Sequence, residues 1–170
     1  RNAAMTSPWY LPTHAEWHAH TKTVLLSTGI HMAYMEAGVP EGKPLIMIHG
    51  FTDSTRIWRM VISRLQRDFH IYAVDLRGFG QSDKPAQYVY SMPQHAEDIA
   101  AFMDAVGLSS ASLLGHSMGS MIAQAAAFSA PDRVEKLVLA STMARMHETP
   151  GDLRKIEEYT TMDLQAMSAG

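Results

Sequence analysis

The 170-residue chain contains no cysteine, which excludes disulfides and thiolate metal sites and leaves the compartment open on redox grounds. No stretch approaches the roughly 18 consecutive apolar residues of a membrane span. The opening Arg1 to Pro12 lacks the apolar centre of about 7–15 residues that marks a secretory leader, so a cytoplasmic location and no membrane partner are expected. The formal net charge is only −3, which gives no reason to expect nucleic acid or an anionic membrane as a partner. There is no internal repeat and no low-complexity linker. What is present is an ordinary globular balance, 46% apolar and 18% charged, in a chain long enough for one domain with a real core.

The periodicity alternates between two and 3.6. Pro8 to His20 reads as irregular. Thr23–Leu26 and Ile30–Glu36, separated by Ser27-Thr28-Gly29, predict a β-hairpin. Leu45-Ile46-Met47-Ile48 is an all-apolar run suited to a strand buried on both faces. Trp58, Val61, Ile62 and Leu65 follow at helical spacing, and Phe69–Val74 is a second apolar strand. Ser91 and Gln94 suggest a capping box ahead of a stripe of Ile99, Phe102, Met103 and Val106, which Gly107 stops. Ala111–Leu114 predicts a strand, Met118–Ser129 a helix and Lys136–Ala140 a further strand. The order is therefore a hairpin followed by β-α-β-α-β-α-β. It predicts an α/β fold: a doubly wound, mostly parallel sheet with about six strands by residue 140.

Three blocks follow strand ends. Gly115-His116-Ser117-Met118-Gly119 lies between an apolar strand and a small-residue helix. A free serine hydroxyl is a weak nucleophile and must be held where a base can take its proton. A sharp strand-to-helix turn does this, and Gly115 and Gly119 leave room for it. Ser117 is thus the expected nucleophile. His49-Gly50-Phe51 follows the Leu45–Ile48 strand. Acyl transfer needs donors aimed at a developing oxyanion, and the backbone N–H groups of Phe51 and Met118 are the natural pair. His49 is read as ordering its loop by hydrogen bonds, with a role as base the alternative. Asp75-Leu76-Arg77-Gly78-Phe79-Gly80-Gln81-Ser82 is the third block. Its Asp75 and Arg77 are expected in a structural ion pair or loop network, and it lacks the third glycine of a dinucleotide loop.

In their order and spacing these blocks resemble the α/β-hydrolase fold family, in its capped serine esterase, lactonase and C–C hydrolase branch. The resemblance runs over roughly residues 22–145. It implies a Ser–His–Asp/Glu triad, no metal, no organic cofactor and a helical cap over the pocket. It also implies the division 1–21 as an irregular N-terminal segment, 22–145 as the N-terminal part of the core and 146–170 as the start of the cap. Serine at position 117 argues against the haloalkane dehalogenase and epoxide hydrolase branches, where the resemblance would place aspartate. The implied activity is cleavage of a small apolar carboxylic ester or lactone through an acyl-enzyme on Ser117. C–C bond hydrolysis on the same scaffold, or non-catalytic ligand binding, are the alternatives.

No convincing partner for Ser117 is legible. His147 and Glu148 are adjacent, and adjacent side chains seldom align with a serine, so His147 is placed at the base of the cap. His116 is expected to point away from the nucleophile, and His70 and His95 to lie on the surface. A C-terminal segment or separate chain is therefore expected to supply the acid and the histidine. His14, His18 and His20 cluster without the supporting glutamate of a His-Glu-x-x-His site, so no metal is expected. Met143, Met146, Met162 and Met167 suit either a pliable apolar pocket or ordinary core packing.

Overall fold

The apolar run at 45–48 is paired on both of its edges, as a strand buried on both faces requires. It lies within β3 (Lys43–Ile48), which runs parallel to β4 (Phe69–Val74) on one side and to β5 (Ala111–His116) on the other. The computed structural model describes residues 13–87 and 90–142. The remaining strands are β1 (Lys22–Leu25), β2 (His31–Gly38) and β6 (Val134–Ala140). The sheet order is β1-β2-β4-β3-β5-β6, antiparallel at β1/β2 and β2/β4 and parallel elsewhere. Six strands and a mostly parallel, doubly wound sheet agree with the sequence pattern.

Register decides where chemistry can sit. Ile48 pairs with Val74 on one side and with Gly115 on the other. The carboxyl ends of β3, β4 and β5 are therefore level, and all three motif blocks emerge along one edge. In open parallel sheets this edge is where ligands bind.

Each face of the sheet is covered by helices. On one face α3 (Met92–Ala105) and α4 (Met118–Ser129) enclose Ile46, Ile48, Phe102, Leu113 and Ile122. On the other, α1 (His14–Ala19) and α2 (Arg59–Leu65) cover Met47, Trp58, Ile62 and Ile71. Helix α3 starts at Ser91, whose side chain accepts the Gln94 N–H. The reciprocal half of the expected capping box does not form, because the Gln94 side chain donates to Glu97 instead. The helix ends as predicted: Gly107 has φ 75, its N–H meets the Asp104 carbonyl, and the Leu108 N–H reaches the Met103 carbonyl.

Three expectations need correction. The stretch read as irregular forms α1 from residue 14 onward. Thr13 and Glu16 make a full capping box, and the buried Trp17 donates from its indole Nε1 to Thr55 Oγ1 at 2.9 Å. A six-residue helix is marginal alone, so this docking holds it. His70 is not a surface residue. It lies half-buried with Nε2 at 2.7 Å from a Glu36 carboxylate oxygen, its ring stacked near Tyr72. Burial pushes the neighbouring Tyr72 phenol up to about 12. His95 is also buried, at 1% exposure on the inner face of α3. The parts of the division at 1–12 and 143–170, including the cap, His147, Glu148 and the four late methionines, lie outside the described residues.

Burial brings the His95 imidazole down to about 4, against the opposing pull of the Asp98 carboxylate. The native state therefore resists protonation of this ring, while an unfolded histidine accepts a proton near its ordinary value of about 6.5. Its contribution is fully present above about pH 6.5 and is lost as pH falls toward 4, by up to about 3 kcal/mol. Urea unfolding of the wild type and of His95→Gln at pH 7, 6 and 5 checks this. The wild type should lose more stability on acidification; parallel profiles would show that the ring does not carry the effect.

Candidate active site

Ser117 occupies the turn between β5 and α4 with φ 53 and ψ −120, a backbone conformation a side-chain-bearing residue rarely adopts. Its side chain is exposed at the level edge of the sheet. The turn is fixed from three sides. The Ser117 N–H donates to the Ala140 carbonyl at 2.9 Å, tying the elbow to the end of β6. The Ser120 N–H donates to the Ser117 carbonyl at 2.9 Å, and the Ser120 hydroxyl donates to the same oxygen at 2.6 Å. Ser120 is a functional residue that the motif pattern alone does not single out. Its position three after the elbow serine, where a hydroxyl can reach back to that carbonyl, is the sequence signal for it.

The two glycines of the elbow carry the predicted function. A Cβ on Gly119 would overlap the Ile48 carbonyl, and one on Gly115 would overlap the backbone of Gly119. Helix α4 can start at this turn only because both side chains are absent. Met118 is the first residue of α4, so its N–H lacks an intrahelical acceptor and points out of the positive helix end.

Across the sheet edge lies the loop that follows β3. Gly50 is buried against the elbow: a Cβ there would stand 3.2 Å from Ser117 Cβ and 3.3 Å from His116 Nδ1. The missing side chain lets the Gly50 backbone lie close against Ser117. His49 is fully buried, and both of its ring nitrogens are engaged by backbone groups. The Leu76 N–H donates to its Nε2 at 3.0 Å, so Nε2 is an acceptor and the ring proton sits on Nδ1, which donates to the Gly50 carbonyl at 2.7 Å. Burial lowers the pKa of this ring and so favours the neutral form that both bonds require. The expected loop-ordering role is what these bonds describe.

His116 extends β5 on the face opposite Gly115. It is half-buried, and its Nδ1 is enclosed without a hydrogen-bond partner among the described residues. No described residue hydrogen-bonds the Ser117 hydroxyl, so neither His49 nor His116 is paired with that side chain.

The third block is a loop network rather than an Asp75–Arg77 pair. Asp75 accepts the Thr55 N–H at 2.7 Å and the Gln81 N–H at 2.8 Å. Arg77 turns inward to Asp98 on α3, with bonds of 2.7 and 2.6 Å and both side chains wholly buried. Asp98 also accepts from Thr28 Oγ1 at 2.6 Å, which ties the hairpin turn to the same ion pair. Among the described residues no group of three or more His, Cys, Asp or Glu is placed to hold a metal ion. No described helix is long and apolar enough to cross a membrane.

A strained serine on a strand-to-helix elbow, facing a glycine loop at the carboxyl edge of a mostly parallel sheet, defines a nucleophile-elbow α/β protein. The chain belongs to the α/β-hydrolase fold family, whose sequence profile matches residues 43–168. It is 33% identical over 141 residues to epoxide hydrolase 4 of Mus musculus, covering 82% of this chain and 39% of that protein. A membrane phospholipase A described as a bacterial virulence factor superposes with a TM-score of 0.70 at 35% identity, over 79% of this chain and 44% of the other. A hydrolase from Pseudomonas aeruginosa gives a TM-score of 0.73 at 29% identity, over 88% and 57% of the two chains. The chain thus spans well under two thirds of the length of each of these relatives.

Replacing Gly119 by alanine should destabilise the fold by about 1–3 kcal/mol, because the added methyl meets backbone rather than a movable side chain. Urea unfolding gives the number. A change below about 0.5 kcal/mol would mean that the elbow backbone yields at little cost.

Proposed function

We propose that Ser117 is the nucleophile of a serine hydrolase that cleaves a small apolar carboxylic ester or lactone, with Phe51 and Met118 N–H groups holding the oxyanion. The observation that carries this reading is the left-handed, exposed serine at the start of α4. In the proposed reaction Ser117 Oγ attacks the acyl carbon and its proton passes to a histidine. The carbonyl electron pair moves onto oxygen and is met by the two N–H donors. Collapse expels the alcohol, which takes that proton, and leaves an acyl-enzyme. Water then repeats the sequence and releases the acid. The histidine and its carboxylate are proposed to come from outside residues 13–142. We take the fold to act without metal or organic cofactor, since a serine, two peptide donors and a proton carrier complete this cycle.

The likeness to a protein named epoxide hydrolase does not transfer its substrate. A serine that opened an epoxide would become an ether, with no carbonyl for water to attack. A carboxylate nucleophile would form an ester, which water can cleave. Ser117 therefore favours acyl substrates, whose serine adduct is itself hydrolysable.

Ser117→Ala in the full protein should lower kcat for a short activated ester by up to about a millionfold, the scale for loss of a triad serine. Unfolding in urea should be little changed, since the side chain is exposed. A variant retaining more than about a tenth of the activity would require another nucleophile.

A phosphonate adduct of the wild type should place the phosphoryl oxygen about 2.7–3.1 Å from the Phe51 and Met118 nitrogens, the range for working oxyanion donors. Crystallography of that adduct is the check. An oxygen beyond about 3.5 Å from both nitrogens would reject this pair.

A further inference from the structure

We propose that Phe79 is a positioning residue for the oxyanion hole. Its ring, held by the loop after β4, sets the direction of the Phe51 peptide on the loop after β3. This rests on the reading of Phe51 as an oxyanion donor.

The two loops are tied at both ends. At one end the Leu76 N–H donates to His49 Nε2, and at the other the Thr55 N–H donates to the Asp75 carboxylate. Between these ties the contact is aromatic. Phe79 is 7% exposed and meets Phe51 edge to face, with centroids 5.9 Å apart and planes at 76°. It meets His49 in the same way at 5.5 Å and 76°. Such geometry places a positive ring edge on a negative ring face and so fixes orientation as well as distance.

The ring is itself aimed by its backbone. Gly78 and Gly80 on either side have φ 85 and 52. A Cβ on Gly80 would overlap the Asp75 carboxylate, and one on Gly78 would press on the Tyr90 ring. The Phe79 N–H donates to the Leu76 carbonyl at 2.9 Å, and the Ser82 N–H donates to the Phe79 carbonyl at 3.1 Å. The loop therefore presents Phe79 in one direction.

What it braces is under strain. Thr52, the residue after Phe51, has φ 59, and a β-branched residue there is a genuine outlier. A strained peptide persists only where its surroundings over-determine it. The Phe79 ring stands against the residue that precedes the strained one. Without it the loop can relax toward an ordinary φ at Thr52, and that rotation swings the neighbouring peptide.

The test uses the full protein, with kcat referred to active sites titrated by a fluorescent phosphonate, so that unfolded molecules do not count. Phe79→Leu keeps apolar bulk and removes the ring edge. It should lower kcat per titrated site at least tenfold, toward the 10²–10³ seen on losing one oxyanion donor, with KM within about threefold. Phosphonylation of Ser117 should slow in parallel. Phe79→Tyr keeps the ring and should stay within about threefold of wild type. Thr52→Gly, which accepts the left-handed φ without strain, should restore part of the loss when added to Phe79→Leu. A Phe79→Leu enzyme with undiminished kcat per site would overturn the inference. So would a loss that Thr52→Gly leaves untouched. Failure of the wild type to be phosphonylated on Ser117 would instead overturn the serine-hydrolase reading.

Discussion

The close approach of α4 to the ends of β3 and β5 is the constraint on which the rest depends. Helix and sheet meet backbone to backbone at Gly119 and Ile48, with no side chain between them. A helix that starts this near the strand it follows needs a turn of almost no length. Ser117 supplies it at a φ that serine avoids. Strain of this kind costs about 1–3 kcal/mol and is held by the surrounding contacts. Here those contacts are the bonds from Ser120 to the Ser117 carbonyl and from the Ser117 N–H to Ala140. The exposed hydroxyl and the first N–H of α4, which has no intrahelical acceptor, are consequences of the same crowding.

Main-chain features near the motifs were legible because each is written locally. The apolar run at 45–48, the glycine at 107 and the Gly-x-Ser-x-Gly turn each limit the backbone through their own residue types. Side-chain partners were less so. Arg77 finds its carboxylate 21 positions away on α3, and nothing near Arg77 names Asp98. His95 looked like a surface residue because a lone histidine in a helix usually is one. Its burial follows from the face it shares with Ile99 and Phe102, which the periodicity already contained. Helix α1 carried its capping box in plain view at Thr13 and Glu16. Six residues are too few for an apolar stripe, and only the docking of Trp17 on Thr55 makes the helix worth forming.

The buried Arg77–Asp98 pair is a poor source of net stability, since two desolvated charges seldom gain more than they lose. Its geometry suggests what it contributes instead. Asp98 receives Arg77 from the loop after β4 and Thr28 from the hairpin turn, so one carboxylate on α3 registers two segments far apart in sequence. A hydrophobic replacement could fill the same space but would accept no such bonds. Breaking one partner would leave a charge in the core, which is why this pair specifies one arrangement of loop and helix.

In the proposed reaction the oxyanion donors belong to the main chain, which has a further consequence. The side chains of Phe51 and Met118 do not touch the proposed oxyanion, so substitution there alters the hole only by moving the backbone. The residues that matter most at this edge are then those that leave space, Gly50, Gly115 and Gly119, and those that fix peptide planes, His49 and Ser120. Such a site sets a reaction class but contributes few groups that could distinguish one acyl chain from another. Its selectivity must come from walls outside the strand ends. On the proposed reading the three loops of this chain hold a general acyl-transfer geometry, while the choice of substrate rests with whatever covers it.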